Sequence, residues 1–177
     1  MRKLWIAAGI GVGALVLALG IVTVATAGDR RGDDRGHSLR AELNGFSEVP
    51  ANSTTARGRL RLSIDGNEIS YSLSYSGLEA PILFAHIHFG QEDVNGGVAA
   101  FLCGGGGKPA CPQSGEVNGT ITASDVVGPA AQGIAPGEIT ELIDAIRNGK
   151  TYGNVHTDKF PNGEIRGQIE GKDDDDD

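Results

Sequence analysis

The chain has 177 residues, with 28 glycines and only 5% aromatic residues, which suits one ordinary domain or two very small ones and argues against a large aromatic core. Its net charge is −8 at pH 7, and it becomes −10 if the first 27 residues, whose only charges are Arg2 and Lys3, are removed. This acidity argues against nucleic acid or anionic lipid as a partner of the remaining domain, because phosphate binding needs a basic surface.

Residues 1–27 have the organisation of an export signal. Arg2 and Lys3 precede the uncharged apolar run 4–24, and Ala25-Thr26-Ala27 supplies a small-x-small cleavage site. A run of about 21 residues is also long enough to span a bilayer, so an uncleaved signal anchor in the membrane is the alternative to a cleaved signal peptide. Either alternative predicts an extracytoplasmic domain, secreted or anchored to the cell membrane by this segment.

Two hydrophilic segments flank the predicted domain, which covers residues 38–170. Residues 28–37 mix Asp, Arg and Gly without apolar periodicity, which is typical of a hydrated linker. Residues 171–177 end in five consecutive aspartates and are expected to form a disordered acidic tail.

From residue 38 onward, short runs of alternating apolar and polar residues are separated by turn residues, as in half-buried antiparallel strands. The clearest pair lies on either side of Asp65-Gly66, a strong hairpin turn signal. Strands are predicted at about 39–46, 60–64, 69–75, 82–89, 97–102, 115–122, 152–157 and 164–170.

One segment has helical periodicity instead. Apolar residues at i, i+3, i+4 and i+7 followed by Asn148-Gly149 predict a single amphipathic helix over about 138–148. Many short strands with one helix predict an all-β fold, an antiparallel β-sandwich or Greek-key barrel of about eight strands with one short amphipathic helix.

Cys103 and Cys111 are the only cysteines of the chain. In an exported protein we expect them to form a disulfide, which would close a nine-residue, glycine-rich loop and contribute about 2.5 kcal/mol on the chain-entropy model. A two-cysteine metal or redox site is the alternative, although the pair lacks C-x-x-C spacing.

Three histidines lie in predicted strands. His86 and His88 are two residues apart, so both side chains emerge from one face of their strand and can converge on one metal ion. If the strand of His156 lies beside the first, three neutral imidazoles could bind copper or zinc with an open position. The alternative is structural: each imidazole would donate to a backbone carbonyl, or to Asn154 and Thr157, without any ion.

Signatures of catalysis are scarce. The sequence has no G-x-S-x-G elbow and no H-E-x-x-H helix. A three-histidine site without a proton shuttle or a substrate pocket would bind metal without catalysing a reaction. We therefore expect a protein that is not an enzyme.

Polar residues near the C-terminus are further candidates for a ligand contact: Asn154, Glu164 and Arg166. Glu164 and Arg166 lie two residues apart on one strand face, after the Pro161-Asn162-Gly163 turn. The alternative is that they form a solvated or inter-strand ion pair worth about 0–1 kcal/mol.

These motifs together resemble the CHRD domain, a module named after its repeats in chordin and also found singly in microbial exported proteins. The resemblance runs from about Ser38 to Glu170. It rests on Ala41-Glu42-Leu43-Asn44-Gly45, Glu48-Val49-Pro50, Ala85-His86-Ile87-His88-Phe89-Gly90, Gly119-Thr120-Ile121-Thr122, Tyr152-Gly153-Asn154-Val155-His156-Thr157 and Pro161-Asn162-Gly163-Glu164-Ile165-Arg166-Gly167-Gln168-Ile169.

The resemblance implies an extracellular β-rich domain without established enzymatic activity, and chordin itself binds growth-factor ligands outside the cell. Three functions follow as hypotheses. The first is a binding module at the cell surface with an extracellular protein ligand and no catalysis. The second is a copper- or zinc-binding protein that uses the three histidines. The third is a redox enzyme, because the His-x-His strand is also similar to the copper-binding strand of copper/zinc superoxide dismutases.

Overall fold

The structure is a computed structural model that describes residues 38–171. The predicted signal or anchor segment 1–27, the linker 28–37 and almost all of the predicted acidic tail lie outside these residues. Within residues 38–171, no helix has the length and apolar character needed to cross a membrane.

Strands dominate the described residues, and their positions follow the predicted ones to within a few residues. The strands are β1 Leu39–Asn44, β2 Arg57–Asp65, β3 Glu68–Ser76, β4 Ile82–Phe89, β5 Gly97–Cys103, β6 Gly115–Ile121, β7 Thr151–Thr157, β8 Ile165–Gln168 and β9 Glu170–Gly171. One α-helix, α1 Ile139–Arg147, precedes β7, and short 3₁₀ turns occupy Gly45–Ser47, Ala123–Asp125 and Ala130–Gln132.

All strand pairs are antiparallel and belong to one sheet with the order β5-β4-β7-β8-β1-β2-β3-β6, while β9 pairs with β1. The two ends of this order approach each other. Ala100 of β5 forms a β-bridge with Val126, just beyond β6, and the hydroxyl of Tyr71 donates to the carbonyl of Leu102. The sheet is thus nearly closed into a barrel, and the predicted all-β fold with one helix is confirmed.

The β2–β3 hairpin shows how the alternation in the sequence builds the core. Its two-residue loop is Gly66-Asn67, and Gly66 has a φ of 56°, in the left-handed region that glycine adopts without strain. The inward-facing positions Leu60 and Leu73 pair across the hairpin and are fully buried. The core inside the barrel is mostly aliphatic, as the low aromatic content predicts.

Helix α1 contributes its apolar face to the same core. Ile139, Leu142, Ile143 and Ile146 are buried, and they are the residues whose spacing predicts the helix. The helix ends where the sequence indicates, because Gly149 has a φ of 63° and its amide donates to the carbonyl of Ile146.

The predicted disulfide is present. Cys103 at the end of β5 is bonded to Cys111. The closed loop packs against β5, since a Cβ atom on Gly105 or Gly106 would lie 2.5 or 2.6 Å from ring atoms of Phe101.

The close packing between β8 and β1 can be tested by a substitution at Gly167. A Cβ atom at Gly167 would lie 2.3 Å from the carbonyl oxygen of Glu42, a backbone atom that cannot move without disturbing β1. We expect Gly167→Ala to lower the free energy of unfolding by about 2–3 kcal/mol because of this overpacking. Urea unfolding followed by far-UV circular dichroism would measure the change.

The matched control is Gly171→Ala. A Cβ atom at Gly171 has no neighbour within 4 Å, so the substitution should change stability by less than about 0.5 kcal/mol. Equal stabilities for the two variants would contradict the close approach of β8 to β1.

Candidate functional site

Three histidines meet on the face of β4 and β7 that points away from the core. Ala85 and Ile87 of β4 are fully buried in the core, so His86 and His88 project from the opposite face. Strand β7 lies directly beside β4 and brings His156 to the same face. One nitrogen from each ring lies within 4.8 Å of the other two, and the side chains are only 4%, 8% and 6% exposed.

Backbone carbonyls determine which ring nitrogens carry protons. Nδ1 of His88 lies 3.0 Å from the carbonyl oxygen of Gly96, and Nδ1 of His156 lies 3.0 Å from that of Pro161. A carbonyl oxygen only accepts hydrogen bonds, so both Nδ1 atoms must be donors and both Nε2 atoms are acceptors in the neutral rings. Nε2 of His88 faces Nδ1 of His86 at 3.2 Å.

The arrangement fits a metal ion by two criteria. Metal-binding histidines usually donate their second nitrogen to a carbonyl or carboxylate, as His88 and His156 do here. Two nitrogens about 2.0–2.1 Å from one ion are separated by about 3.3 Å at a tetrahedral angle. The His86–His88 nitrogen distance of 3.2 Å is close to this value, whereas the three nitrogens together span up to 4.8 Å and would have to move closer to one another to share an ion.

Burial keeps all three imidazoles neutral. It is the main cause that lowers the pKa of His86 to about 3 and that of His88 to about 4, with the neighbouring histidines adding to the effect for both rings. Burial also lowers the pKa of His156, although its hydrogen bond to Pro161 opposes the shift. These groups stabilise the fold above the ordinary histidine pKa of 6.5, and that contribution is lost as the pH falls.

Aromatic rings enclose the cluster. Phe84 stacks on His86 with 4.8 Å between ring centroids, and Phe101 meets His86 edge-on at 4.5 Å. Tyr152 lies parallel to His88 at 4.7 Å. Since the disulfide loop packs on the ring of Phe101, the loop also supports one wall of the histidine cluster.

Arg166 holds in place the loop whose Gly96 carbonyl oxygen accepts the hydrogen bond from His88. Its guanidinium lies 3.5 Å from the ring of Tyr152 and donates to the carbonyls of Gln91 at 3.0 Å and Val94 at 2.9 Å. The same loop ends at Gly96, whose amide donates to the Tyr152 hydroxyl. Loop residues 91–96 are therefore held to the sheet by Arg166 and Tyr152.

Glu164 does not pair with Arg166, and the predicted solvated or inter-strand ion pair is wrong. Its fully buried carboxylate accepts hydrogen bonds from the hydroxyls of Thr54 and Thr157 and from the backbone amide of Glu79. The guanidinium of Arg166, 2% exposed, turns to the loop carbonyls instead.

Asn154 is also buried and bonded within the protein. Its side-chain amide donates to Oε1 of Glu48 at 2.6 Å and to the carbonyl of Ile165 at 3.1 Å. The three polar residues proposed from the sequence as ligand contacts thus lie beneath loops beside the histidine cluster. Their partners are protein groups, which makes them supports of the site.

Glu48 is the residue that the sequence reasoning missed. Burial raises the pKa of its carboxyl from 4.5 to about 7, although the hydrogen bond from Asn154 and the charge of Arg166 oppose the shift. The carboxyl can approach Asn154 closely because Gly163 has no side chain: a Cβ atom there would lie 2.6 Å from Oε1 of Glu48. No spacing rule joins Glu48 to Asn154, since 106 residues separate them.

The enclosing residue Tyr152, in contrast, could have been found from the sequence. In β7, Tyr152, Asn154 and His156 are two residues apart and share a face. The same alternation applied to His86 selects Phe84 in β4.

Comparisons with known proteins identify one family. The family model of the CHRD domain matches residues 39–169, which is most of the chain. Searches of curated proteins and of solved structures found no significant match.

The buried carboxyl of Glu48 makes a pH-dependent prediction. Because its pKa is higher in the folded protein, its contribution to stability is largest at low pH and is lost as the pH rises from 4.5 through about 7. Glu48→Gln retains an acceptor for Asn154 but has no charge. Relative to the wild type, it should gain on the order of 2 kcal/mol of unfolding free energy between pH 5 and pH 8.

Urea unfolding of both proteins at several pH values tests this difference, and the effects of the histidines cancel because both proteins contain them. Parallel pH profiles for the two proteins would show that Glu48 does not titrate abnormally.

Proposed function

The chain belongs to the CHRD domain family, and on that basis we propose that it is a binding module that holds one copper or zinc ion through His86, His88 and His156. One observation carries the proposal. Among the residues described, Nε2 of His156 is buried without any hydrogen-bond partner, and it faces the cluster formed by the other two rings.

A purely structural role explains this nitrogen poorly. Buried polar atoms in proteins are nearly always hydrogen-bonded, and an unsatisfied one costs about 1–3 kcal/mol. Burying three imidazoles together adds a cost that aliphatic side chains on the same face would avoid. Coordination of one ion would give Nε2 of His156 a partner and would replace the hydrogen bond between Nδ1 of His86 and Nε2 of His88.

The chain's own residues have separate tasks in this proposal. The carbonyls of Gly96 and Pro161 orient His88 and His156 and hold the protons away from the metal-facing nitrogens. The rings of Phe84 and Phe101 limit access of water to the cluster. The low exposure of the histidines supports a role in binding, since a catalytic metal needs a position open to substrate.

The disulfide supports an extracytoplasmic location for this module, because such bonds persist mainly in oxidising compartments. We propose that the domain is secreted or attached to the cell membrane by its N-terminal segment. The metal site would there serve storage, transport or sensing of the ion, or would stabilise a surface that binds an extracellular protein.

Metal titration tests the proposal. The full-length protein should bind Cu(II) or Zn(II) with a stoichiometry of one, and His86→Ala or His156→Ala should weaken binding about tenfold or more because each removes a ligand. Isothermal titration calorimetry would give stoichiometry and affinity.

The control is His37→Ala, which changes the one histidine that precedes the described residues and should leave the affinity unchanged. Circular dichroism of each variant separates loss of a ligand from loss of the fold. Wild-type binding no tighter than millimolar for every one of Cu(I), Cu(II) and Zn(II) would rule the proposed function out.

A further inference from the structure

The charge of the ligand set limits which ion the cluster can hold. Within residues 38–171, the cluster contains three imidazoles and neither a carboxylate nor a thiolate. The nearby carboxyl of Glu48 is engaged by Asn154. A bound ion would therefore keep its full positive charge, because neutral imidazoles cancel none of it.

The surroundings make the transfer of that charge from water into the cluster unfavourable in free energy. The ion would lie among the rings of Phe84 and Phe101, and the nitrogens that bind it belong to side chains that are almost completely buried. The cost of moving an ion out of water rises with the square of its charge, so a dication is penalised about four times as much as a monocation of similar size.

A positive charge from the protein adds to this cost. Arg166 lies against the ring of Tyr152, which stacks on His88. Only the ring of Tyr152 separates its guanidinium from His88, so it repels positive charge at that ring. A dication bound to His88 would experience twice the repulsion that a monocation does.

The number of ligands points the same way. Zn(II) in proteins is almost always four-coordinate, and Cu(II) prefers a tetragonal set of nitrogen and oxygen ligands. The cluster supplies three nitrogens, and the rings of Phe84 and Phe101 packed on it add no further ligand atom. Cu(I), a monovalent d¹⁰ ion, is stable with three ligands.

We infer that this centre selects Cu(I) over both Cu(II) and Zn(II), on the basis of three neutral imidazoles enclosed by aromatic rings beside a buried arginine. The inference rests on the proposed function, since it names the ion that the proposed site holds. The protein would then be a Cu(I) carrier or store.

Affinities for the three ions test the inference on the full-length wild-type protein. Cu(I) is measured without oxygen by competition with bicinchoninate, and Zn(II) and Cu(II) by competition with chromophoric chelators. The dissociation constant for Cu(I) should be about 100-fold lower than that for Cu(II), which would raise the copper potential by about 120 mV relative to the aqueous couple, since a tenfold ratio corresponds to about 59 mV for one electron.

A substitution beside the cluster tests the physical cause. Phe84 contacts both His86 and His156, so Phe84→Asp places a negative oxygen ligand next to them. This variant should reduce the preference for Cu(I) over Zn(II) by about tenfold or more, because the carboxylate offsets charge and adds a fourth ligand. Phe84→Leu, which adds neither, is the matched control and should retain the preference.

The outcomes separate the two proposals. Stoichiometric binding of Zn(II) or Cu(II) that is as tight as binding of Cu(I) would overturn the inference and leave the proposed function intact. Failure to bind any of the three ions would overturn both.

Discussion

The buried guanidinium of Arg166 is the interaction on which the candidate site depends. A charge this deeply buried needs hydrogen-bond partners, and Arg166 donates to the carbonyls of Gln91 and Val94 and to the side-chain oxygen of Asn95 while its guanidinium lies over the ring of Tyr152. These bonds hold loop residues 91–96 against the sheet, and the loop in turn places the Gly96 carbonyl at Nδ1 of His88. The tautomer of a histidine is thus determined by an arginine that does not touch it directly.

The two faces of the same strands have different roles: the inward face stabilises the fold, and the outer face carries the candidate site. The inward face is aliphatic and supplies most of the burial that drives folding, whereas the outer face of β4, β7 and β8 carries histidine, tyrosine, asparagine and arginine beneath loops. On this outer face, the pKa of Glu48 is raised and those of the histidines are lowered, so burial favours the neutral form of both acid and base. The surroundings of the cluster are therefore of low polarity although its residues are polar, which is the condition that discriminates between ions of different charge.

Local patterns in the sequence predicted the strands, the β2–β3 hairpin and the helix, because alternation and turn signals depend only on neighbouring residues. The disulfide was predicted because the chain contains only two cysteines. Local patterns also predicted that His86 and His88 share a face. The three-histidine site was expected only if β7 lies beside β4. The sequence did not predict that neighbourhood, because strand order is a property of the whole sheet. Spacing likewise showed that Glu164 and Arg166 lie near each other but not what covers them, and loops distant in the sequence determined their partners.

The positions of the few aromatic residues bear on the function of the histidine cluster. In a chain with only 5% aromatic residues, Phe84, Phe101 and Tyr152 all contact the histidine cluster, while the core is packed mainly by Leu, Ile and Ala. Packing alone does not require rings at these positions, because the core is filled mainly by aliphatic side chains, with Tyr71 and Tyr75 as its aromatic members. Rings do offer what a buried cation needs, since they exclude water while their faces attract positive charge. The glycines of the disulfide loop serve the same end, because they let the loop pack directly on Phe101 and close the cluster from that side.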